Sequence, residues 1–234
     1  MKTDYYFSNH NLINKVIDIC NGITAVIFAL IFISYLASCN GVNADVSLNV
    51  KDTISLNSNE GAKWTSDNDF IAIVSEDGLV SAMHVGTTKI MATTNGNTTT
   101  YVVSVESKNH FFNEPIHDFL LTKDNIKKIS TGELIDEETQ SLKYRDGYNV
   151  ITYKFNSKGI LTASAIKLNL ANTKEITPVL SYLADRYEPA GETKEGVMFI
   201  NAYKNENATM GVLVMAKDDG LLVAYGPYDA TKKY

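Results

Sequence analysis

The longest apolar stretch of the chain lies near its N-terminus. The run from Ile23 to Ala37 contains no charged residue, small residues then lead to Cys39, and the chain turns polar directly afterwards. A membrane-spanning helix needs roughly 20 apolar residues, whereas a secretory signal has a shorter apolar run and a cleavage site of small residues. The pattern predicts a signal peptide over residues 1–38. An uncleaved anchor helix and a buried core helix are the alternatives.

Short runs of alternating apolar and polar residues follow a polar tether at residues 39–45. Asp77-Gly78 and Asn95-Gly96 each lie between two such runs, and both are hairpin signals because glycine tolerates positive φ. Seven short antiparallel strands over residues 46–105 predict a small β-sandwich. The predicted strands are Val46–Val50, Thr53–Leu56, Ala62–Thr65, Ile71–Ser75, Leu79–His84, Thr88–Thr94 and Thr99–Val105.

A polar stretch after residue 105 marks the predicted end of the sandwich. Pro115 disfavours a helix at Glu114 and removes a backbone donor. The segment up to residue 121 is therefore predicted to be extended, with Phe112, Ile116 and Phe119 anchoring it to the part that follows.

Helical and strand patterns alternate in the rest of residues 106–234. A first helix is predicted from the N-cap Thr122 to about Ser130, and a second over Ile176–Tyr187 with Asp185 and Glu188 on its solvent-exposed face. The order predicts an α+β domain of two α-β-β-β units, an antiparallel sheet with two helices on one face. Its predicted strands are Ser141–Tyr144, Asn149–Phe155, Ile160–Leu168, Val197–Tyr203, Ala208–Met215 and Leu221–Tyr225.

Cysteine count and net charge argue against two properties, a disulfide within the cleaved chain and binding of nucleic acid. Cys20 and Cys39 are the only cysteines, so no disulfide can form within the chain once residues 1–38 are removed. The formal net charge is −6, and removing those residues leaves it unchanged because they carry two lysines and two aspartates. A mildly acidic chain argues against nucleic acid as a partner, which requires a basic face.

Leu36-Ala37-Ser38-Cys39 closes the apolar run and resembles the lipobox of bacterial lipoproteins. The resemblance implies cleavage before Cys39, lipid attachment at Cys39, and a membrane tether through this N-terminal lipid. Each buried methylene contributes about 0.8 kcal/mol, so several chains make such a tether effectively permanent. By resemblance to enterobacterial sorting rules, Asn40 implies the outer membrane, while surface or periplasmic facing stays open.

Four pieces of the predicted sandwich resemble, in order and spacing, the group 2 bacterial immunoglobulin-like domain. This resemblance implies an all-β immunoglobulin-like sandwich that serves as a spacer or presentation module, as in cell-surface adhesins. Trp64 is then expected to plug the core, with sugar stacking as the alternative. Further on, Glu114-Pro115 and Asp118-Phe119 loosely resemble the C-terminal halves of immunoglobulin-like lipoproteins of Gram-negative anaerobes, which implies no activity. The four pieces are Trp64–Asn68, Ile71–Val74, Asp77–Val80 and Gly86–Ile90.

The sequence contains no motif of a known catalytic or metal site. It has no serine nucleophile elbow, no phosphate loop and no paired histidines at metal spacing. His110, Glu114 and His117 could share a helical face, but Pro115 opposes that helix. The oxygen-bearing run Asp67-Asn68-Asp69 is typical of an ordinary loop rather than a twelve-residue calcium loop. A protein without enzymatic activity, metal or cofactor is expected.

The tyrosines of the predicted α+β domain are the candidate residues for binding a ligand. The free face of an antiparallel sheet is a natural platform, and tyrosine combines a flat apolar ring with a polar tip. Packing between strands is the alternative for most of these residues. The tyrosines expected to line the free face are Tyr144, Tyr148, Tyr153, Tyr203, Tyr225 and Tyr228.

These patterns together predict a non-enzymatic lipoprotein that binds a glycan or protein and acts in cell adhesion, with the sandwich as its stalk. A periplasm-facing accessory subunit of an envelope complex is one alternative. A small hydrolase or inhibitor is another, and it would require a cleft with titratable groups of perturbed pKa.

Overall fold

The computed structural model describes residues 42–58, 60–169, 176–202, 208–229 and 231. The predicted signal peptide and Cys39 lie outside these described residues, and so does Tyr203. We use "N-terminal sandwich" for residues 42–106 and "C-terminal part" for the residues from 107 onwards.

All seven strands predicted for the N-terminal sandwich are present. They form a four-stranded sheet in the order β1-β7-β6-β3 and a three-stranded sheet in the order β2-β5-β4. The strands are β1 Val42–Asn49, β2 Thr53–Ser55, β3 Lys63–Ser66, β4 Ala72–Val74, β5 Leu79–Ala82, β6 Gly86–Thr94 and β7 Asn97–Glu106.

One pairing in the sandwich is parallel, contrary to the prediction of antiparallel strands throughout. β1 runs parallel to β7, with Val46 opposite Val103. Parallel neighbours need a long connection between them, and here the whole remainder of the sandwich supplies it. The remaining strand pairs of the sandwich are antiparallel.

The core of the sandwich comes from the alternation that the sequence shows. In β6, Thr88, Ile90 and Ala92 are buried while the residues between them are more exposed. Trp64 is only half-buried, so it covers the margin of the core instead of plugging its centre, and its ring lies 6.1 Å from that of Tyr101. Gly78, at φ +83°, passes directly beneath the tryptophan ring, where a Cβ atom would lie 2.7 Å from Trp64 Cζ2.

The segment after β7, residues 107–121, forms neither helix nor strand, in agreement with the prediction that Pro115 opposes a helix there, and we refer to it as the extended segment. Its side chains Phe112, Ile116 and Phe119 pack against the core of the C-terminal part. The predicted anchoring of this segment is therefore confirmed.

The described residues of the C-terminal part form one eight-stranded antiparallel sheet with two helices. Its strand order is β12-β13-β14-β15-β11-β10-β9-β8, so two four-stranded meanders meet where β11 pairs with β15. The helices are α1 Lys123–Ile129 and α2 Ile176–Ala184. The strands are β8 Glu133–Glu138, β9 Ser141–Asp146, β10 Asn149–Phe155, β11 Leu161–Leu168, β12 Glu188–Glu192, β13 Val197–Ile200, β14 Met210–Lys217 and β15 Gly220–Pro227.

Each unit is therefore α-β-β-β-β rather than the predicted α-β-β-β. The two additional strands, β8 and β12, are the outer edges of the sheet. β8 is rich in acidic residues, and β12 contains Pro189 and Gly191. Proteins use charged residues, proline and glycine to protect sheet edges. Because these residues interrupt the alternation of apolar and polar positions, such a strand is difficult to predict from sequence.

Both helices cover the same face of the sheet, as predicted. Ile126 of α1 and Val179 and Leu183 of α2 are fully buried in one core with the inward residues of the sheet. The helix α1 begins as predicted, because Thr122 accepts a hydrogen bond from Asn125 N and Asn125 in turn accepts from Thr122 N.

The second helix is shorter than predicted, and this changes the role of Asp185. The helix ends at Ala184, and Asp185 is buried against the N-terminal sandwich instead of lying on a solvent-exposed face. Its carboxylate accepts hydrogen bonds from Ser107 Oγ at 2.6 Å and Asn109 Nδ2 at 2.5 Å, and its carbonyl accepts one from Val85 N at 2.9 Å.

His84 provides a second contact between the two parts. The side chain is 3 % exposed and stacks on Phe70. Its Nδ1 lies 2.7 Å from Phe70 O, and its Nε2 lies 3.5 Å from Glu188 Oε2 on β12. The N-terminal sandwich is thus fixed to the C-terminal part by buried polar contacts.

Candidate functional site

A buried polar cluster lies where the extended segment crosses the C-terminal part. Glu114 Oε1 accepts hydrogen bonds from the hydroxyls of Tyr187 and Tyr225, each at 2.9 Å. Burial raises the pKa of both phenols, and the negative charge of Glu114 raises it further. Both hydroxyls therefore stay protonated and donate, which holds Glu114 in place.

Arg186 completes this cluster. Its Cζ lies 3.6 Å from the ring centroid of Tyr182, its Nη1 donates to Tyr182 O at 3.0 Å, and its Nε lies 3.9 Å from Glu114 Oε2. Burial, followed by the charge of Glu114, raises the pKa of Tyr182 to about 12. The positive charge of Arg186 is thus already compensated inside the protein.

An open cleft lies on one side of this cluster, and we call it the Tyr148 cleft. Its volume is about 770 Å³, and the turn between β9 and β10 forms one wall while the start of the extended segment forms the other. Pockets of 300–1,000 Å³ are the usual size for small-ligand sites. The side chains that matter for its chemistry are Phe111, Asn113, Asp146, Tyr148, Asn149 and Asn169.

Tyr148 dominates the surface of this cleft. It is 89 % exposed and stands on the two-residue turn Gly147-Tyr148, where Gly147 has φ +59°. Phe111 on the opposite wall is 38 % exposed. Two accessible aromatic rings facing a cleft provide flat apolar surfaces on which a ligand can stack.

Polar groups free to bind a ligand lie beside these rings. Within the described part of the chain, the carboxylate of Asp146 and the amide of Asn113 make no hydrogen bond or ion pair, while Asn149 Oδ1 accepts a long hydrogen bond of 3.4 Å from Asn169 N. A carboxylate accepts strong hydrogen bonds from hydroxyl donors, and an amide both donates and accepts. The cleft therefore combines aromatic surface with hydrogen-bonding groups.

A second cleft of about 750 Å³ lies between the N-terminal sandwich and the C-terminal part, and we call it the junction cleft. Phe70 and Val85 line it from the sandwich, and Phe119, Leu120 and Tyr187 line it from the other side. Leu120 at its rim is 86 % exposed. This cleft is more apolar than the Tyr148 cleft and suits an apolar side chain of a partner protein.

Most of the tyrosines predicted to line the free face are elsewhere. Tyr144, Tyr153 and Tyr225 are at most 5 % exposed and point into the helix-covered core. Their rings replace aliphatic side chains at inward positions of the strands, so the predicted placement is wrong for these three. Tyr144 packs edge-on against Tyr153 at 6.0 Å.

The other three predicted tyrosines differ in position. Tyr148 is accessible but lies at a hairpin turn rather than on the free face. Tyr228 is half-buried after the end of β15, with its ring close to Gly211. Tyr203 lies outside the described residues.

The sequence did not predict the polar residues that line the cleft together with Tyr148. Asp146 and Asn149 flank the turn, and the pattern Asp-Gly-Tyr-Asn by itself indicates only a connection between strands. A large aromatic residue at a two-residue turn cannot reach the core, and this signal identifies Tyr148 as exposed. No comparable local signal marks Asn113 or Asn169, since both enter the cleft from segments distant in sequence.

The structure offers no geometric support for a metal site in the described residues. No group of three or more histidine, cysteine, aspartate or glutamate side chains lies close enough together there to hold an ion. His117 stacks on Tyr225 at 5.3 Å, while Glu114 is engaged by two phenols. In the part of the chain that the structure describes, neither helix is long and apolar enough to cross a membrane.

Comparison with known proteins identifies one region of the chain. A search among curated proteins finds no match. Two solved structures are similar to this chain only at low scores, which carry no argument about function. One contains domains 5–6 of the S-layer protein SbsC, with 12 % identity, 83 % of both chains covered and a TM-score of 0.23. The other is a SusE-like surface-located polysaccharide-binding protein from the Bacteroides thetaiotaomicron heparin utilisation locus, with 15 % identity, 78 % of this chain and 32 % of that chain covered, and a TM-score of 0.21. The family model of the bacterial Ig-like domain (group 2) matches residues 41–104, so this region is a bacterial immunoglobulin-like domain of that group.

Proposed function

We propose that the protein is a non-enzymatic, lipid-anchored binding protein of the cell envelope, and that its C-terminal part recognises a glycan in the Tyr148 cleft. The observation that carries this proposal is the highly exposed Tyr148 ring beside the Asp146 carboxylate, which makes no hydrogen bond or ion pair with the residues that the structure describes, in a cleft of about 770 Å³. Adhesion to a glycan-bearing surface is the biological role that follows.

The chemistry of the cleft suits sugars. The apolar face of a sugar ring stacks on an aromatic side chain, and its hydroxyls need hydrogen-bonding partners once they leave water. Tyr148 and Phe111 supply the rings, while Asp146 and Asn113 supply acceptors and donors. Because the backbone of Tyr148 is already held in a turn between two strands, stacking on a ligand costs mainly the freedom of the two side-chain torsions of this residue.

The immunoglobulin-like domain serves as the stalk in this proposal. It follows the proposed lipid at Cys39 in sequence. The hydrogen bond from Val85 N to Asp185 O and the contact of His84 with Glu188 fix the C-terminal part to it. A fixed connection of this kind presents the Tyr148 cleft at a defined position relative to the membrane.

Glycan-array binding of the full-length, detergent-solubilised protein tests the proposed recognition. The wild type is expected to bind at least one glycan, and Tyr148→Ala to lose about fivefold or more in affinity, since stacking contributes about 1 kcal/mol or more. Tyr153→Phe, at a buried position, is the matched control and is expected to bind like the wild type. Absence of binding to every glycan, or full binding by Tyr148→Ala, would overturn the proposal.

Cell fractionation tests the proposed anchor separately. Cys39→Ala is expected to release the protein from the membrane fraction, because the variant cannot carry lipid at that position. Protease treatment of intact cells then distinguishes surface from periplasmic facing. A Cys39→Ala protein that stays in the membrane would show that the anchor is not a lipid at Cys39.

The junction cleft favours a second candidate function, an accessory subunit of an envelope complex. Its lining is largely apolar, and Leu120 stands exposed at its rim. Exposed apolar patches at a concave surface are typical of protein-binding sites. Co-purification of a partner by the wild type, and its loss in Leu120→Asp, would support this alternative.

A further inference from the structure

Tyr148 stands between two depressions rather than at the bottom of one. A smaller depression of about 180 Å³ lies on its other side, lined by Val150, Lys167 and Asp219. Tyr148 and Asn169 line both this depression and the Tyr148 cleft. The two depressions therefore adjoin at Tyr148 and Asn169, and together we call them the groove.

Strand geometry shows where this groove runs. Asp146 pairs with Asn149 on the same side of the sheet as the buried Tyr144 and Ile151, whereas Val150, which pairs with Lys167, points to the opposite face. The groove thus crosses the edge of the hairpin from the helix-covered face to the open face. Both depressions are open to solvent, so a bound chain can continue beyond them.

The two basic side chains along this groove already have partners within the protein. Lys167 forms an ion pair with Asp219, and Arg186 is engaged by Glu114 and by the ring of Tyr182. Among the described lysine and arginine residues that line the groove, neither has a free positive charge. With respect to the described residues, the Asp146 carboxylate has no such partner, and its negative charge would repel an anionic sugar at this short range.

We infer that the ligand is an uncharged polysaccharide bound within its chain, with one sugar on Tyr148 and its neighbours in the two depressions. This inference rests on the proposed function and specifies its ligand class. The larger depression alone has the volume of a site for a drug-sized molecule. Contacts on both sides of Tyr148 then predict that affinity rises with chain length.

Titration of the full-length, detergent-solubilised protein with defined oligosaccharides tests this inference. The probes are mono-, tri- and hexasaccharides of the neutral gluco-, manno- and xylo-series, with oligogalacturonate and heparin hexasaccharides as anionic probes. At least one neutral hexasaccharide is expected to bind about tenfold or more tightly than its monosaccharide, and the anionic probes are expected not to bind. Asp146→Asn is expected to weaken neutral binding about tenfold, because it removes a charged hydrogen-bond acceptor.

Each other outcome overturns a defined part of the account. Tyr148-dependent binding of an anionic probe in preference to all neutral ones would refute the inferred ligand class while keeping the proposed function. Equal affinity for the neutral monosaccharide and hexasaccharide would refute binding within a chain. Binding of no probe by the wild type would overturn the proposed function and the inference together.

Discussion

Tyr153 and Tyr148 lie on neighbouring strands and a connecting turn, yet their side chains have opposite environments. Tyr153 is 2 % exposed and its hydroxyl accepts a hydrogen bond from Ile116 N, whereas Tyr148 is 89 % exposed. Tyr153→Ala is expected to lower the free energy of unfolding by about 3–5 kcal/mol, and Tyr148→Ala to change it by less than about 0.5 kcal/mol. Urea denaturation of both variants measures this. Similar losses in the two would contradict the assignment of Tyr153 to the core.

The inward position of Tyr153 could have been predicted from its neighbours. It alternates with Ile151 and Phe155, and the residues between them include Lys154, which favours the solvent-exposed face. The exposed face of the strand therefore belongs to Val150 and Lys154. Residue type alone suggested a binding role for Tyr153, whereas the strand periodicity correctly places its side chain in the core.

Gly78 provides a second prediction at the residue scale. Gly78→Ala is expected to cost about 1–2 kcal/mol for its positive φ and more for the contact of the new Cβ with the Trp64 ring. Gly96→Ala is the matched control, because Gly96 has φ +80° and a Cβ added there would have no atom within 4 Å. Urea denaturation should show the larger loss for Gly78→Ala. Equal losses would mean that the tryptophan ring moves away without cost.

At the scale of elements, the start of α1 is specified by local sequence. Thr122→Ala removes the side chain that accepts from Asn125 N and is expected to lower the free energy of unfolding by about 1 kcal/mol. Lys128→Ala, at an exposed position of the same helix, is the control and should stay within about 0.5 kcal/mol. A Thr122→Ala protein as stable as the control would contradict the cap.

The two edge strands of the eight-stranded sheet, β8 and β12, could not be predicted from local sequence in this way. In β8, Glu133, Asp136 and Glu137 form ion pairs with lysines and an arginine of α1 and β9. The strand has no fully buried residue, so ladder hydrogen bonds and these ion pairs hold it in place. Those partners are distant in sequence or on another element. The apolar alternation that identifies an inner strand is consequently absent from β8 and β12.

The tyrosines around Glu114 predict loss of stability in alkali. The pKa of Tyr182, Tyr187 and Tyr225 is raised above the ordinary 10.0, chiefly by burial. The unfolded chain therefore releases these protons near pH 10 while the folded protein retains them. Their contribution to stability is complete below that pH and declines as the pH rises further.

Urea denaturation at neutral pH and above pH 10, together with ultraviolet absorbance of tyrosinate, measures this effect. The free energy of unfolding is expected to fall in alkali, and the buried phenols to ionise only as the protein unfolds. Ionisation of every tyrosine near pH 10 in the folded protein would contradict their burial.

At the scale of the whole molecule, the contact between the two parts is the feature that sequence patterns could not provide. Helical periodicity places Asp185 on the solvent-exposed face of a longer helix, and strand patterning places His84 at the end of a strand. Both are buried only because the N-terminal sandwich lies against the C-terminal part. The sheets and both helices follow from periodicity, turns and caps, while this contact and the Tyr148 cleft depend on residues brought together from distant segments.

Asp185→Ala tests this contact. The variant leaves the hydroxyl of Ser107 and the amide of Asn109 without their acceptor, which is expected to cost about 1–3 kcal/mol. Hydrogen exchange of Val85 N–H, which donates across the contact, is expected to become faster. Asp69→Ala, in an exposed loop of the N-terminal sandwich, is the control and should leave that exchange unchanged. Unchanged exchange in Asp185→Ala would show that the contact does not depend on this carboxylate.

The most direct test of the account is hydrogen exchange of the full-length protein with and without the neutral hexasaccharide that it binds most tightly. Slower exchange is expected in residues 110–114 and 146–150, which form the two walls of the Tyr148 cleft, and little change is expected in the immunoglobulin-like domain. Protection confined to the strands of that domain, or no protection by any hexasaccharide at saturating concentration, would contradict it.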